Sequence, residues 1–185
     1  MESLYKNIYR NKHSFFKAIA AKLVTREKLS SEQLEFILAY APDIAGKAAP
    51  YLYKEAKRID ADHIIDSLRL LWTRYGSPTP IECPRCGFRA LTPELTCIVC
   101  GAQIDEKELK EYIGFEALLE DFARKAPLTV IQEVISSGLV LYDGERIMPL
   151  SQRSRGYFVE LYLTQREKEI LERIMKERQA LGDYF

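Results

Sequence analysis

Cys83-Pro84-Arg85-Cys86-Gly87 and Cys97-Ile98-Val99-Cys100-Gly101 are two copies of one pattern, with ten residues between Cys86 and Cys97. They hold all four cysteines of a 185-residue chain within 18 positions. Two residues between cysteines let both thiolates reach one metal ion while the backbone curls around it. The glycine after each pair tolerates the positive φ such a curl demands and leaves N–H groups free to bond sulfur. Four thiolates complete a tetrahedral zinc shell with no position left for water, so the expected ion is structural and its ligands are Cys83, Cys86, Cys97 and Cys100. Closing such a site contributes on the order of 10 kcal/mol to folding at neutral pH. An iron centre or a reducible disulfide pair are the alternatives for the same four residues.

The C-x-x-C-G repeats of residues 81–104 resemble the zinc-ribbon and rubredoxin-type zinc-knuckle families. The spacer is shorter than in the usual ribbon, so the hairpin is small and turns at Pro93-Glu94. Members of those families are frequent in transcription, replication and translation, and the resemblance implies a role of that kind.

N-terminal to the cysteines, residues 1–76 read as helical throughout. Leu4, Ile8, Phe15, Phe16, Ile19 and Leu23 mark one amphipathic stretch. Ser30 and Gln33 have capping-box spacing ahead of Leu34, Ile37, Leu38 and Ala41. Pro50 opens a further helix. Asp60 or Asp62 caps the next, in which Ile64, Leu68, Leu71, Trp72 and Tyr75 repeat at helical spacing. Gly76 ends it, and Ser77-Pro78-Thr79-Pro80 marks a boundary. On the far side, Asp105 and Glu108 form another capping pair, Gly114 and Gly138 end helices, and Pro127 begins one. Residues 139–148 and 157–163 are β-type runs, and Thr164 with Glu167 opens a closing helix. The expected organisation is a helical domain at 1–76, a linker and four-cysteine knuckle at 77–104, and an α+β domain at 105–185. The fold class is mainly α with a small β component.

Within 105–185, the run Val130-Ile131-x-x-Val134-Ile135-x-x-Gly138-Leu139-Val140-x-x-Asp143-Gly144 resembles the last helix and first wing strand of a winged-helix domain. Ser151 to Gly156 would then form the wing tip. Leu128–Ser137 carries no Lys or Arg, whereas DNA-reading helices at that position carry polar or basic readers. The resemblance therefore implies a protein-docking use. A helix–hairpin–helix subdomain of another topology is the alternative.

The chain balances 27 basic against 27 acidic residues. A protein coated by nucleic acid is usually basic overall, so any such contact is confined to a patch. Residues 1–30 provide one, with seven Lys/Arg against Glu2 and Glu27. Lys6, Arg10, His13 and Lys17 fall within about 60° on a helix, and such a stripe neutralises phosphates or docks on an acidic protein surface. The candidate nucleic-acid contacts are Lys6, Arg10, Lys17, Arg85, Arg89, Arg153 and Arg155. A solvated amphipathic face, balanced by the acids of residues 105–125, accounts for the stripe equally simply.

Asp60-x-Asp62-His63-x-x-Asp66 is the one carboxylate–imidazole cluster. Asp62, His63 and Asp66 are the candidates for an acid–base or weak metal site, but carboxylates also favour the first turn of a helix without any catalysis. No phosphate-cradling glycine loop, nucleophile elbow or H-E-x-x-H motif is present. The expected protein is a non-enzymatic, zinc-stabilised adaptor or accessory factor of nucleic-acid metabolism, with a protein-binding scaffold as the first alternative and an enzyme built on Asp62/His63/Asp66 as the second. A protein partner, no membrane and no small-molecule substrate are expected. The first 30 residues show no apolar run before a small-residue cleavage site, and clustered cysteines suit a reducing compartment, so the cytoplasm is the expected location.

Asn7 and Asn11 are the only asparagines, while Glu, Lys, Arg and Ile are plentiful, a composition shared with thermophile proteins. A thermal melt should accordingly place the midpoint above the ordinary mesophile range of about 45–65 °C; a value inside it would refute the thermophile reading.

Overall fold

The computed structural model describes residues 12–153 and 156–183, with side chains described from Ile19 onward. The chain divides into two compact units, residues 1–78 and 79–185. The whole is mainly helical with one small antiparallel sheet.

In the first unit, α1 (Lys12–Thr25), α2 (Ser31–Tyr40), α3 (Pro42–Lys47), α4 (Ala49–Arg58) and α5 (Asp62–Tyr75) follow one another with short connections. Ser30 forms the expected capping box, its hydroxyl accepting from the Gln33 N–H while the Gln33 side chain accepts from the Ser30 N–H. Leu29, Leu34, Ile37, Leu52, Ile64, Leu68 and Trp72 are buried together. Arg58 ties the loop before α2 to this core, donating to the Leu29 carbonyl at 2.7 Å and to the buried Glu55 at 2.6 Å.

Two details differ from the sequence expectation. Residues 42–47 form a separate short helix opened by Pro42, whose fixed φ suits a first turn. The start of α5 has no side-chain cap: Ala61 is the N-cap, Asp60 sits at φ +53° and Asp62 pairs with Lys57 at 3.5 Å. Gly76 does close α5, but at φ −83°, so no left-handed turn requires it. Its reason is space. A Cβ there would lie 2.4 Å from the Trp72 ring and 2.8 Å from the Gly46 carbonyl oxygen. Gly46 mirrors this, since a Cβ on it would lie 2.4 Å from the Leu71 carbonyl oxygen. Helices α3 and α5 therefore meet backbone to backbone.

The second unit begins with the cysteine segment and continues through α6 (Glu106–Ile113), α7 (Phe115–Lys125), α8 (Leu128–Ser137), β1 (Leu139–Tyr142), β2 (Ile147–Met148), β3 (Val159–Tyr162) and α9 (Gln165–Ala180). The sheet order is β2-β1-β3, with Leu141 opposite Met148 in one pair and opposite Glu160 in the other. The first β-type run thus folds back on itself instead of running straight to residue 148. Asp143 turns it, its carboxylate accepting from the Glu145 and Arg146 N–H groups at 2.9 Å, with Gly144 at φ +105° pressed against the Pro80 carbonyl. Ser151 is held by Glu133 of α8, which accepts from its N–H and hydroxyl.

Helix α9 opens with the Thr164–Glu167 capping box. The same Glu167 is buried and pairs with Lys110 of α6 at 2.8 Å, and Lys110 also donates to the Tyr162 carbonyl and lies over the Phe115 ring. At the other end of α9, Arg178 donates to the carbonyls of Ala123 and Ala126, satisfying acceptors left open where α7 ends. Exposed pairs Arg166–Glu116, Arg173–Glu120 and Arg124–Glu177 line the α7–α9 seam; each contributes at most about 1 kcal/mol.

Gly46→Ala tests the α3–α5 contact. Alanine normally favours a helix by about 1 kcal/mol, but overpacking against a fixed backbone costs about 1–3 kcal/mol. A net loss of stability in urea unfolding is expected, with Lys47→Ala near neutral. A stabilised Gly46→Ala would show that the helices can separate freely.

Candidate metal centre

The cysteine segment has little regular structure and is organised by short backbone ladders. Thr79 and Leu91 donate to the carbonyls of Arg89 and Ile81, and Cys83 donates to that of Phe88. Isolated bridges then pair Leu91 with Cys97 and Thr96 with Gln103. The tight turn lies at Thr92-Pro93-Glu94-Leu95, where the Leu95 N–H reaches the Thr92 carbonyl. Leu95 itself takes φ +63°.

Gly87 and Gly101, the residues after each cysteine pair, sit at φ +75° and +74°. Their N–H groups return to the carbonyls of Cys83 and Cys97. Each pair is thereby folded into a knuckle whose N–H groups point at sulfur. The N–H groups of Arg85 and Cys86 face Cys83, that of Phe88 faces Cys86, and that of Cys100 faces Cys97.

These ladders bring all four sulfurs within 4.8 Å of one another, with Cys83–Cys100 at 3.8 Å and Cys86–Cys97 at 3.5 Å. Thiolates tetrahedrally arranged around an ion at about 2.3 Å, the length of a Zn–S bond, lie about 3.8 Å apart. The donor set therefore fits a single four-coordinate ion. Cys83, Cys86 and Cys97 are buried, as are Phe88, Ala90, Leu91 and Ile104 of the same segment. Among the protein groups alone, hydrogen bonds from Cys86 and Cys97 hold the Cys83 thiol far below its ordinary range. The contact with Cys83 is the main cause that pushes Cys86 and Cys97 upward, with burial adding to it.

The other candidate residues are scattered. Arg85 is engaged by Glu108 through two hydrogen bonds of 3.0 and 3.1 Å, which takes Glu108 away from the expected capping pair; Asp105 is the N-cap of α6 without a side-chain cap bond. Arg153 pairs with Glu160 at 3.3 Å. Arg89 is exposed and lines a small cavity of about 220 Å³ together with Glu82, Tyr112 and Glu145. Lys6, Arg10 and Arg155 lie outside the described residues, as does the side chain of Lys17. In the Asp62/His63/Asp66 cluster each member turns to a different partner: Asp62 to Lys57, His63 to Glu35 at 3.0 Å and Asp66 to Arg69 at 2.5 Å. The groove beside His63 is lined by neither aspartate. Among the described residues the cysteines form the one group of three or more His, Cys, Asp or Glu able to hold a metal ion, and no helix is long and apolar enough to cross a membrane. The sequence reading overlooked Lys110 and Glu167 as a buried pair, because 57 residues separate them and only Glu167 carried a signal, as part of a capping box.

No protein-family model, curated protein or solved structure matches this chain.

Native mass spectrometry should find one metal ion per chain, lost in Cys97→Ser. Acid should release it, since protons compete for the thiolates as pH falls. Removal by chelator should unfold the second unit, with loss of the near-ultraviolet signal of its tyrosines. Full retention of that signal in the stripped protein would show that the knuckle folds without metal.

Proposed function

We propose that this chain is a non-enzymatic, zinc-stabilised adaptor. The observation carrying this reading is the closed set of four sulfurs, which offers a metal no position for substrate or water. Zinc is the proposed ion because four thiolates in a tetrahedron suit a d¹⁰ cation without redox chemistry. Its role is to hold residues 79–104 in shape so that Arg85, Tyr157 and Tyr112 can brace the knuckle against its own unit. Arg85 does so through Glu108, Tyr157 through the Leu91 carbonyl and Tyr112 through Glu82.

The adaptor's partner is proposed to be a protein. Arg85 and Arg153, two of the cations proposed for nucleic acid, are already neutralised by carboxylates. Helix α8, the proposed reading helix of a winged-helix arrangement, contains no Lys or Arg. The winged-helix likeness itself rests on element order, three helices followed by antiparallel strands and a closing helix. Helix α8 in that arrangement serves docking better than base reading. A second reading, an accessory factor on RNA or DNA, is favoured by the charge of residues 1–30 and runs through Lys6, Arg10 and Lys17.

Metal analysis and fluorescence anisotropy separate these readings. The purified protein should contain zinc and show no visible absorption; iron with a coloured thiolate spectrum would overturn the zinc assignment. The zinc-loaded chain should not bind single-stranded RNA, single-stranded DNA or duplex DNA at low salt. Micromolar, salt-sensitive binding abolished by deleting residues 1–30 would instead establish the nucleic-acid reading.

A further inference from the structure

The second unit carries a groove of about 700 Å³ bounded by α6, the start of α7, the end of β3 and the start of α9. Its lining is mostly apolar. Phe115 forms the floor at 2% exposure, Leu163 is half-buried beside it, and Tyr162 stands in the wall 56% exposed. A large aromatic left in water at the edge of a concave apolar surface is the kind of anchor that protein interfaces use.

The rim is acidic. Five carboxylates and two lysines line the groove. Lys110 is spent on Glu167, and Glu116 faces Arg166 at 3.0 Å. Among the lining residues, Asp105, Glu106 and Glu111 are then opposed by Lys107 alone. Negative charge at the mouth excludes an anionic ligand such as a nucleic-acid backbone and attracts a cation.

Backbone pairing is also closed off. Tyr162 lies on β3, whose other edge has no neighbouring strand among the described residues. Its N–H is taken by Glu106 at 3.4 Å and its carbonyl by Lys110 at 2.5 Å. An incoming peptide cannot extend the sheet at Tyr162 and must be recognised by its side chains.

We propose that this groove docks a segment of a partner protein in which a lysine or arginine adjoins a large apolar residue. The apolar side chain packs over Phe115 and against Tyr162, and the cation meets Asp105 and Glu111. This deepens the protein-adaptor reading, on which it rests, by naming the surface and the chemistry of the partner.

The test is fluorescence anisotropy of the full zinc-loaded chain with three labelled short peptides of the same apolar core, flanked by Lys/Arg, by Gln or by Glu. The basic peptide should bind in the micromolar range at low salt and lose affinity at high salt, with the acidic one weaker by about tenfold or more. Asp105→Lys combined with Glu111→Lys, two exposed sites, should weaken the basic peptide by about tenfold or more, and Tyr162→Ala should weaken all binding. Zinc content, measured on the same samples, should not change in the charge variant, and its melt should fall only by the small loss that replacing the Asp105 N-cap entails. Equal affinity for the three peptides, no binding of the basic one, or binding indifferent to the charge variant would overturn the groove. A protein that fails these tests while still holding zinc leaves the adaptor reading standing. One that proves to contain no zinc loses that reading, whatever the peptides do.

Discussion

The convergence of four sulfurs is the constraint on which the second unit depends. Residues 79–104 bury Ile81, Phe88, Leu91 and Ile104, yet own no strand longer than an isolated bridge. So short a ladder cannot offset the conformational entropy of ordering about 25 residues, at roughly 1–2 kcal/mol each. A metal closing the tetrathiolate site would contribute on the order of 10 kcal/mol at one point, added to what the buried side chains supply. The two left-handed glycines follow from that demand, because only a reversed backbone after each second cysteine turns the N–H groups toward sulfur.

Buried polar chemistry does comparable work in the rest of that unit. Lys110 and Glu167 are nearly excluded from water, and removing either would strand the other. Their stability comes from the Tyr162 carbonyl, the Thr164 N–H and the Phe115 ring that complete the network. The network links α6, β3 and α9 and takes the Tyr162 carbonyl, while Glu106 takes the N–H, so the polar groups that would otherwise invite another strand are used.

Local chemistry was legible in the sequence, and chemistry between distant residues was not. Ser30 with Gln33 and Thr164 with Glu167 act across three residues, and both boxes form as their spacing implies. Asp105 with Glu108 has the same spacing, but Arg85 approaches from 23 residues away and takes Glu108. Gly76 ends its helix as expected for a reason no local rule contains, the approach of Gly46. The four-cysteine cluster was readable because its members repeat within 18 positions; the Phe115–Tyr162 groove was not, because its walls come from separate parts of the chain. The straight first β run failed at Asp143-Gly144, a dipeptide whose turn tendency outweighs the apolar pattern around it.

The bond from the Tyr157 hydroxyl to the Leu91 carbonyl spans 66 positions, and β1 must wait for β3, some twenty residues downstream, to gain its longer partner. The first unit precedes it in the chain and closes over shorter spans than that bond, as Arg58 does on Leu29, 29 positions away. During synthesis the helical unit can therefore finish folding while the second is still a loose, thiol-bearing chain. Over that interval the four cysteines are open to any cation or oxidant at hand, so a metal that closes the cluster would have to arrive before an oxidant does.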